Sequence, residues 1–273
     1  MRVHRLAQIK KHRLAQISVI ICIFSSVLIC VLSGCATIYN PATGQKETVF
    51  VTTADERAIG ANMAPQIEKK FKVDEDSFIQ TRIRTIGNTI AKVSDRQDLP
   101  YYFGVLKGKD VNAFTTPGAY VYLFRALVDK TDSDSELASV IAHEVGHVAA
   151  RHAAKKMEAE MGYNILMTIA FSKESKPELE RYIDIGFNIV ALGYSREDEL
   201  FADKLAVRYL VRAGYNPYGM ISFMKKLEEI EKEEGVAPIY ILNSHPYMSQ
   251  RIEAVRKEIP LEFLALEKAG QPK

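Results

Sequence analysis

The sequence predicts an α+β domain, mostly helical, with a small antiparallel sheet. Three observations lead there. Short apolar runs separated by turn residues are confined to residues 101–123, and helix-period apolar stripes stand before and after them. A composition of 47% hydrophobic and 26% charged residues is that of an ordinary globular core. The 13 Tyr and 12 Phe can fill that core, which excludes a disordered chain, and three Cys are too few for a disulfide-stapled miniprotein.

Residues 1–34 read as a segment apart. Arg2, Arg5, Lys10, Lys11 and Arg13 precede an apolar run from Ile17 to Leu32, and no acidic residue occurs among them. That run is 16 residues long, short of the roughly 20 needed to span a bilayer, so an export signal fits better than an anchor helix. Leu32-Ser33-Gly34-Cys35 resembles the bacterial lipobox. The resemblance implies cleavage before Cys35, lipidation of that residue and attachment to the bacterial envelope. Ala36 after the cysteine, by resemblance to the sorting rule of Gram-negative lipoproteins, points to the periplasmic face of the outer membrane. Cys22 and Cys30 would leave with the signal, so no intramolecular disulfide is expected. The hexapeptide HRLAQI at 4–9 and again at 12–17 is too short and too few to be a structural repeat. Beyond residue 34 the chain holds 31 basic and 34 acidic residues, and no basic face suggests nucleic acid.

Residues 35–51 are expected to be a lipidated tether, since Pro41 and Gly44 interrupt a stretch with no apolar period. The single domain then covers 52–273. Thr53-x-x-Glu56 looks like a capping box for a helix toward Phe71. Ile79, Ile83, Ile86, Ile90 and Val93 give a second helix one stripe, over 77–93. Strands are expected at 101–106, 111–115 and 119–123, with turns at 107–110 and 116–118. After Arg125 the pattern is helical to about Lys268, with breaks near 132–135, 172–177, 193, 214–217 and 235–246.

The chemistry concentrates in His143-Glu144-Val145-Gly146-His147, an HExxH motif. Ser133-x-x-Glu136 caps its helix, and Leu137, Val140, Ile141 and Val148 give that helix an apolar face. Residues four apart share a face, so both imidazoles can reach one ion while Glu144 handles a proton beside it. A zinc peptidase site needs one more protein ligand and an open fourth position. Glu-x-x-x-Asp supplies a candidate twice, at Glu180/Asp184 and at Glu199/Asp203, and periodicity does not choose between them. Gly193 and the cap Ser195-x-x-Asp198 place Glu199 in the first turn of a helix, where Ala202 and Ala206 permit a close approach.

HEVGHVAARH, SREDELFAD, SHP followed by Arg251, and NAFTTPGAYVYLFRAL at 112–127 together resemble the zinc metallopeptidase family of the CAAX prenyl endopeptidases and HtpX. The likeness covers roughly residues 52–256, in the family's order and spacing. It implies a zincin-type fold and one Zn2+ per chain held by His143, His147 and Glu199, with Asp203 orienting a histidine. It also places His245 and Arg251 at the site, as stabilisers of the developing oxyanion or, for His245, as an occupant of the open zinc position. Asn112, Ala113 and Phe114 fall in the strand that would pair with an extended substrate. The chain lacks the membrane spans of the prenyl proteases and looks most like the family's short lipoprotein members. The expected activity is therefore endoproteolysis of unfolded or misfolded envelope proteins, with Glu144 as general base. A non-catalytic, zinc-stabilised outer-membrane assembly factor is the alternative, and an intact Glu144 argues against it. A ferritin-like di-iron site needs a second Glu-x-x-His, and neither His152 nor His245 provides one.

Overall fold

The computed structural model describes residues 36–172, 177–191, 193–234, 245 and 248–263. The expected export signal, residues 1–34, and Cys35 lie outside the described residues. The chain divides into two compact units, one of them containing residues 36–38 and Lys46–Phe50, the other Tyr39–Gln45 and Val51 onward. Strands β1 (Ala36–Asn40) and β2 (Gln45–Val49) pair as a two-stranded sheet where the sequence suggests only a tether. Pro41 and Gly44, read as interruptions, form the turn, with Gly44 at φ 70°.

In the larger unit, α1 (Thr53–Phe71) is capped one residue earlier than expected: Thr52 and Asp55 form the capping box. Glu56 is free for another task. It is buried, and it accepts a hydrogen bond from Arg151 Nε at 2.7 Å and one from Arg96 at 3.4 Å. Helix α2 (Ser77–Ala91) is capped by Asp76 and buries Ile83, Ile86 and Ile90.

The sheet comprises β3 (Tyr102–Leu106), β4 (Ala113–Thr116) and β5 (Tyr120–Phe124), in the order β3-β5-β4. It is mixed rather than antiparallel. β4 and β5 form the expected antiparallel pair, but β3 runs parallel to β5. The loop 107–112 is long enough to cross about 10 Å, two strand spacings, and set β4 on the far side of β5. At the β4–β5 turn Gly118 has φ 81°, and a Cβ there would lie 2.7 Å from Glu56 O, so both conformation and space require glycine.

Among the described residues the remaining helices are α3 (Arg125–Asp129), α4 (Asp134–Ala150), α5 (His152–Met161), α6 (Tyr163–Phe171), α7 (Pro177–Ala191), α8 (Arg196–Ala213), α9 (Tyr218–Glu234) and α10 (Met248–Glu258), followed by a 3-10 turn at Leu261–Phe263. The last helix among the described residues stops at Glu258, since Pro260 cannot continue it; the expected helix end near Lys268 lies outside the described residues. One apolar cluster joins α2, the sheet, α4, α8 and α9, around Ile83, Leu123, Ile141, Val145, Leu205 and Phe223. A second packs α1, α6 and α7 against Phe114, Tyr122 and Phe124. Helix α4 is buried from Ser135 to Ala150. Among the described residues no helix is long and apolar enough to cross a membrane.

Candidate metal centre

Two helices build the site. Ser133 caps α4 by accepting from Glu136 N, and the helix carries His143, Glu144 and His147 into the interior. Ser195 and Asp198 cap α8 as predicted, so Glu199 and Asp203 project one turn apart from its buried side. The helices cross at a glycine. A Cβ on Gly146 would stand 2.7 Å from Ala202 O, closer than atoms tolerate, so glycine on one helix and alanine on the other set the spacing. That crossing brings Glu199 to the histidines.

His143 Nε2 and His147 Nε2 are 2.9 Å apart, and Glu199 oxygens lie 3.5 and 3.4 Å from them. His245 joins them: its Nδ1 is 2.9 Å from Glu199 Oε1 and 3.2 Å from His143 Nε2. One donor atom from each of these four buried residues lies within 4.8 Å of the others. Three imidazoles and a carboxylate thus converge on one point. They suit a cation taking nitrogen and oxygen ligands. Glu180 is exposed and Asp184 pairs with Lys70 at the surface, so the alternative carboxylate pair stays away from the site.

Each histidine is aimed from behind. His143 Nδ1 is 2.8 Å from Asp203 Oδ1, which fixes the ring with Nε2 toward the cluster. Asp203 is itself gripped by Arg251, through Nε at 2.7 Å and Nη2 at 2.6 Å, and Arg251 Nη1 reaches Glu199 Oε2 at 2.8 Å and His245 O at 3.1 Å. Arg251 thus spends its guanidinium on the two carboxylates and a backbone carbonyl. Burial and the Arg251 charge press the His143 imidazole down, but hydrogen bonds to Asp203 and Glu199 prevail and raise it to about 9. Burial works against ionised Glu199 and Asp203 as well; neighbouring His245 and Arg251 charges hold Glu199 well below the usual carboxylate range, and Arg251 holds Asp203 below it.

His147 has a different support, which motif reasoning missed. Its Nδ1 is 2.8 Å from His152 Nδ1, and His152 Nε2 is 3.3 Å from Asp198 Oδ1. Burial lowers both imidazoles, His152 to about 4, so the two are neutral and share one hydrogen. One tautomer assignment satisfies the row: His147 Nδ1–H donates to His152, and His152 Nε2–H donates to Asp198, leaving His147 Nε2 bare toward the cluster. The signal was present in the sequence as a third histidine five residues on. It was hidden because Arg151, in the left-handed conformation at φ 63°, ends α4 and turns α5 away. The buried Arg151–Glu56 pair holds that turn. Tyr194 was missed too; its ring stacks on His147 with centroids 4.2 Å apart.

Glu144 points into the same interior with neither carboxylate oxygen hydrogen-bonded, and His245 Nε2 stands 3.5 Å away. Burial raises its carboxyl above the ordinary value against the pull of His245 and His143. A buried carboxylate without partners is costly unless it has work to do. In β4, Ala113 and Phe114 are buried, and the Phe114 ring meets Phe187 of α7 with centroids 5.1 Å apart. Asn112 accepts from Ala113 N at 2.9 Å, at the entrance to that strand. The strand is an edge of the sheet.

The profile of peptidase family M48 matches residues 78–259. The beta-barrel assembly-enhancing protease of Yersinia pestis is 27% identical over 226 residues, 79% of this chain and 46% of that protein. The putative beta-barrel assembly-enhancing protease of Vibrio cholerae is 28% identical over 237 residues, 82% of this chain and 49% of that protein. The mitochondrial metalloendopeptidase OMA1 of Arabidopsis thaliana is 30% identical over 183 residues, 67% of this chain and 36% of that protein. The chain spans about half the length of the bacterial relatives it matches. The matched segment contains the whole donor cluster and both helices that build it, and the chain belongs to peptidase family M48.

Proposed function

We propose that the protein is a zinc-dependent endopeptidase that cuts extended segments of unfolded or misfolded envelope proteins. The observation that carries this reading is the unpartnered, buried Glu144 beside the convergent donors of His143, His147 and Glu199. Those three residues would hold the metal, and nitrogen and oxygen donors in that number are what a catalytic zinc takes. Zinc at such a site supplies Lewis-acid chemistry, polarising the scissile carbonyl and acidifying water toward a pKa of about 7.

Glu144 takes a proton from the water that adds to the carbonyl carbon, and passes it to the amine nitrogen as the C–N bond breaks. Asp203 keeps His143 in the tautomer that presents Nε2, and Arg251 keeps Asp203 and Glu199 in place. This makes Arg251 a positioning residue rather than an oxyanion donor. His245, whose Nδ1 lies 2.9 Å from Glu199 Oε1 and 3.2 Å from His143 Nε2, would be a further ligand in the resting protein, one that substrate would displace. The main chain of Asn112–Phe114 pairs with an extended substrate along the sheet edge, since the Phe114 side chain is already spent on Phe187 and Tyr122. Main-chain recognition admits many sequences, as removal of misfolded proteins requires. The names of the bacterial relatives, proteases that enhance β-barrel assembly, support an envelope setting. Cys35 would carry the lipid that holds the domain there.

Casein digestion tests the reading. The purified protein is expected to degrade casein, to stop when a zinc chelator is added, and to resume when zinc is returned. Casein left whole by zinc-loaded protein would contradict it.

A further inference from the structure

Helix α8 carries a second stripe besides the one that bears Glu199 and Asp203. Lys204, Arg208 and Arg212 follow one another at four-residue intervals, so they share a face of the helix. They edge a hollow of about 310 Å³ between α8 and the end of α10, within the size class of ligand clefts. Apart from Glu258, the rest of its lining is apolar, with Phe201, Val211, Pro260 and Ala42 among it. The three cations have donors to spare. Lys204 Nζ comes no nearer to Glu258 Oε1 than 3.6 Å. Arg212 Nη1 is 3.6 Å from Asp95 Oδ1 and 3.5 Å from Val93 O. Arg208 does bind Asp95, but Asp95 also accepts from the Tyr209 hydroxyl at 2.8 Å. Arg208 Nε is buried with no hydrogen-bond partner. Three positive charges thus meet two negative ones, Asp95 and Glu258, and the hollow keeps an excess of one. A donor buried without an acceptor costs stability, and an anion entering the hollow would supply the acceptor.

We infer that this hollow binds an anionic phospholipid, with the phosphate among Lys204, Arg208 and Arg212 and the first methylenes against the apolar lining. Cations at the edge and apolar surface within suit an amphiphile better than either of its parts. Free phosphate would meet the cations and leave the apolar lining to water. A zwitterionic headgroup would bring its own cation to a site that already holds an excess of positive charge. An acidic peptide would satisfy the charges but not the apolar lining. The lipid is within reach if Cys35 is anchored. Seven residues separate Cys35 from Ala42, at most about 25 Å of chain, so the anchor would keep the hollow near the headgroups. The bilayer as source rests on the Cys35 anchor; the affinity for the lipid does not. Lipid bound here would set which face of the catalytic domain turns to the membrane.

Calorimetric titration of the full-length protein, kept in non-ionic detergent, tests this with the water-soluble lipid dihexanoyl phosphatidylglycerol. One lipid per chain should bind, at least about 10-fold more tightly than dihexanoyl phosphatidylcholine or inorganic phosphate. Lys204→Gln and Arg212→Gln should each weaken the lipid about 5-fold, and added salt should weaken it further. Val211→Phe, which fills the hollow, should remove the lipid's advantage over phosphate. Casein digestion, which none of these side chains serves, should be unchanged in all three variants. Equal binding of the two lipids, phosphate bound as tightly as the anionic lipid, or hexaglutamate bound as tightly would each overturn the inference. So would full affinity in both Gln variants. Each of those results would leave the peptidase reading standing, and the Cys35 anchor is decided separately by membrane fractionation.

Discussion

At the scale of single residues, the site shows how burial is turned into chemistry. His143 is aimed by Asp203, which Arg251 locks, while His147 is aimed by His152 and Asp198, a neutral arrangement on one side and a charged one on the other. The consequences can be measured. With His143 held at about 9 in the metal-free protein, the imidazole is protonated at neutral pH and must lose that proton to solvent before its nitrogen can bind a metal. Zinc uptake at pH 7 should therefore release about one proton per chain, and affinity should climb with pH until about 9, where the gain ends. Calorimetric titration in buffers of different ionisation enthalpy counts that proton; zero release would show that His143 is neutral beforehand. Asp203→Ala should weaken zinc binding by roughly 10–100-fold, because it frees the His143 ring without removing a ligand. The motif residues were legible from spacing alone. His152 and Tyr194 were not, because their roles depend on a left-handed turn at Arg151 and on the loop before α8, which no period in the sequence announces.

At the scale of elements, the crossing of α4 and α8 decides the geometry. A small residue on each helix lets backbone meet backbone, and the sequence already showed Ala202 and Ala206 on the inner stripe of α8. What it did not show was that Gly146, inside the motif, is their counterpart. Gly146→Ala adds a methyl where only 2.7 Å is free, so α8 must retreat and take Glu199 with it. The variant should lose about 1–3 kcal/mol of stability by overpacking and bind less than one zinc per chain; a chemical denaturation curve and metal analysis on the same sample check both, and full zinc content would show that the crossing has slack. The Ser133 and Ser195 caps, the apolar stripes of α2 and α4, and the β4–β5 hairpin were readable, since each depends on residues a few positions apart, while the box of α1 falls one residue before the expected one. The parallel pairing of β3 with β5 was not, because it depends on where a six-residue loop lands. The β1–β2 hairpin was overlooked since a turn and an interruption use the same residues, Pro41 and Gly44.

At the scale of the whole molecule, the proposal is a catalytic domain tied to a membrane by its N-terminus. If Cys35 carries the lipid, Cys35→Ser should accumulate as a precursor retaining residues 1–34, and a domain beginning at Ala36 should stay peptidase-active, since every proposed site residue lies at or beyond Asn112. Membrane fractionation with N-terminal analysis decides it; a wild-type protein that keeps its leader or appears in the soluble periplasmic fraction would refute the anchor. The more central claim is that Glu144 acts as the base at a metal held by His143, His147 and Glu199. Glu144→Gln removes the base and no ligand. Measured together on that variant, zinc content should remain about one per chain while casein hydrolysis falls by about 10²–10⁴-fold. A variant that keeps its zinc and digests casein at the wild-type rate would contradict the account.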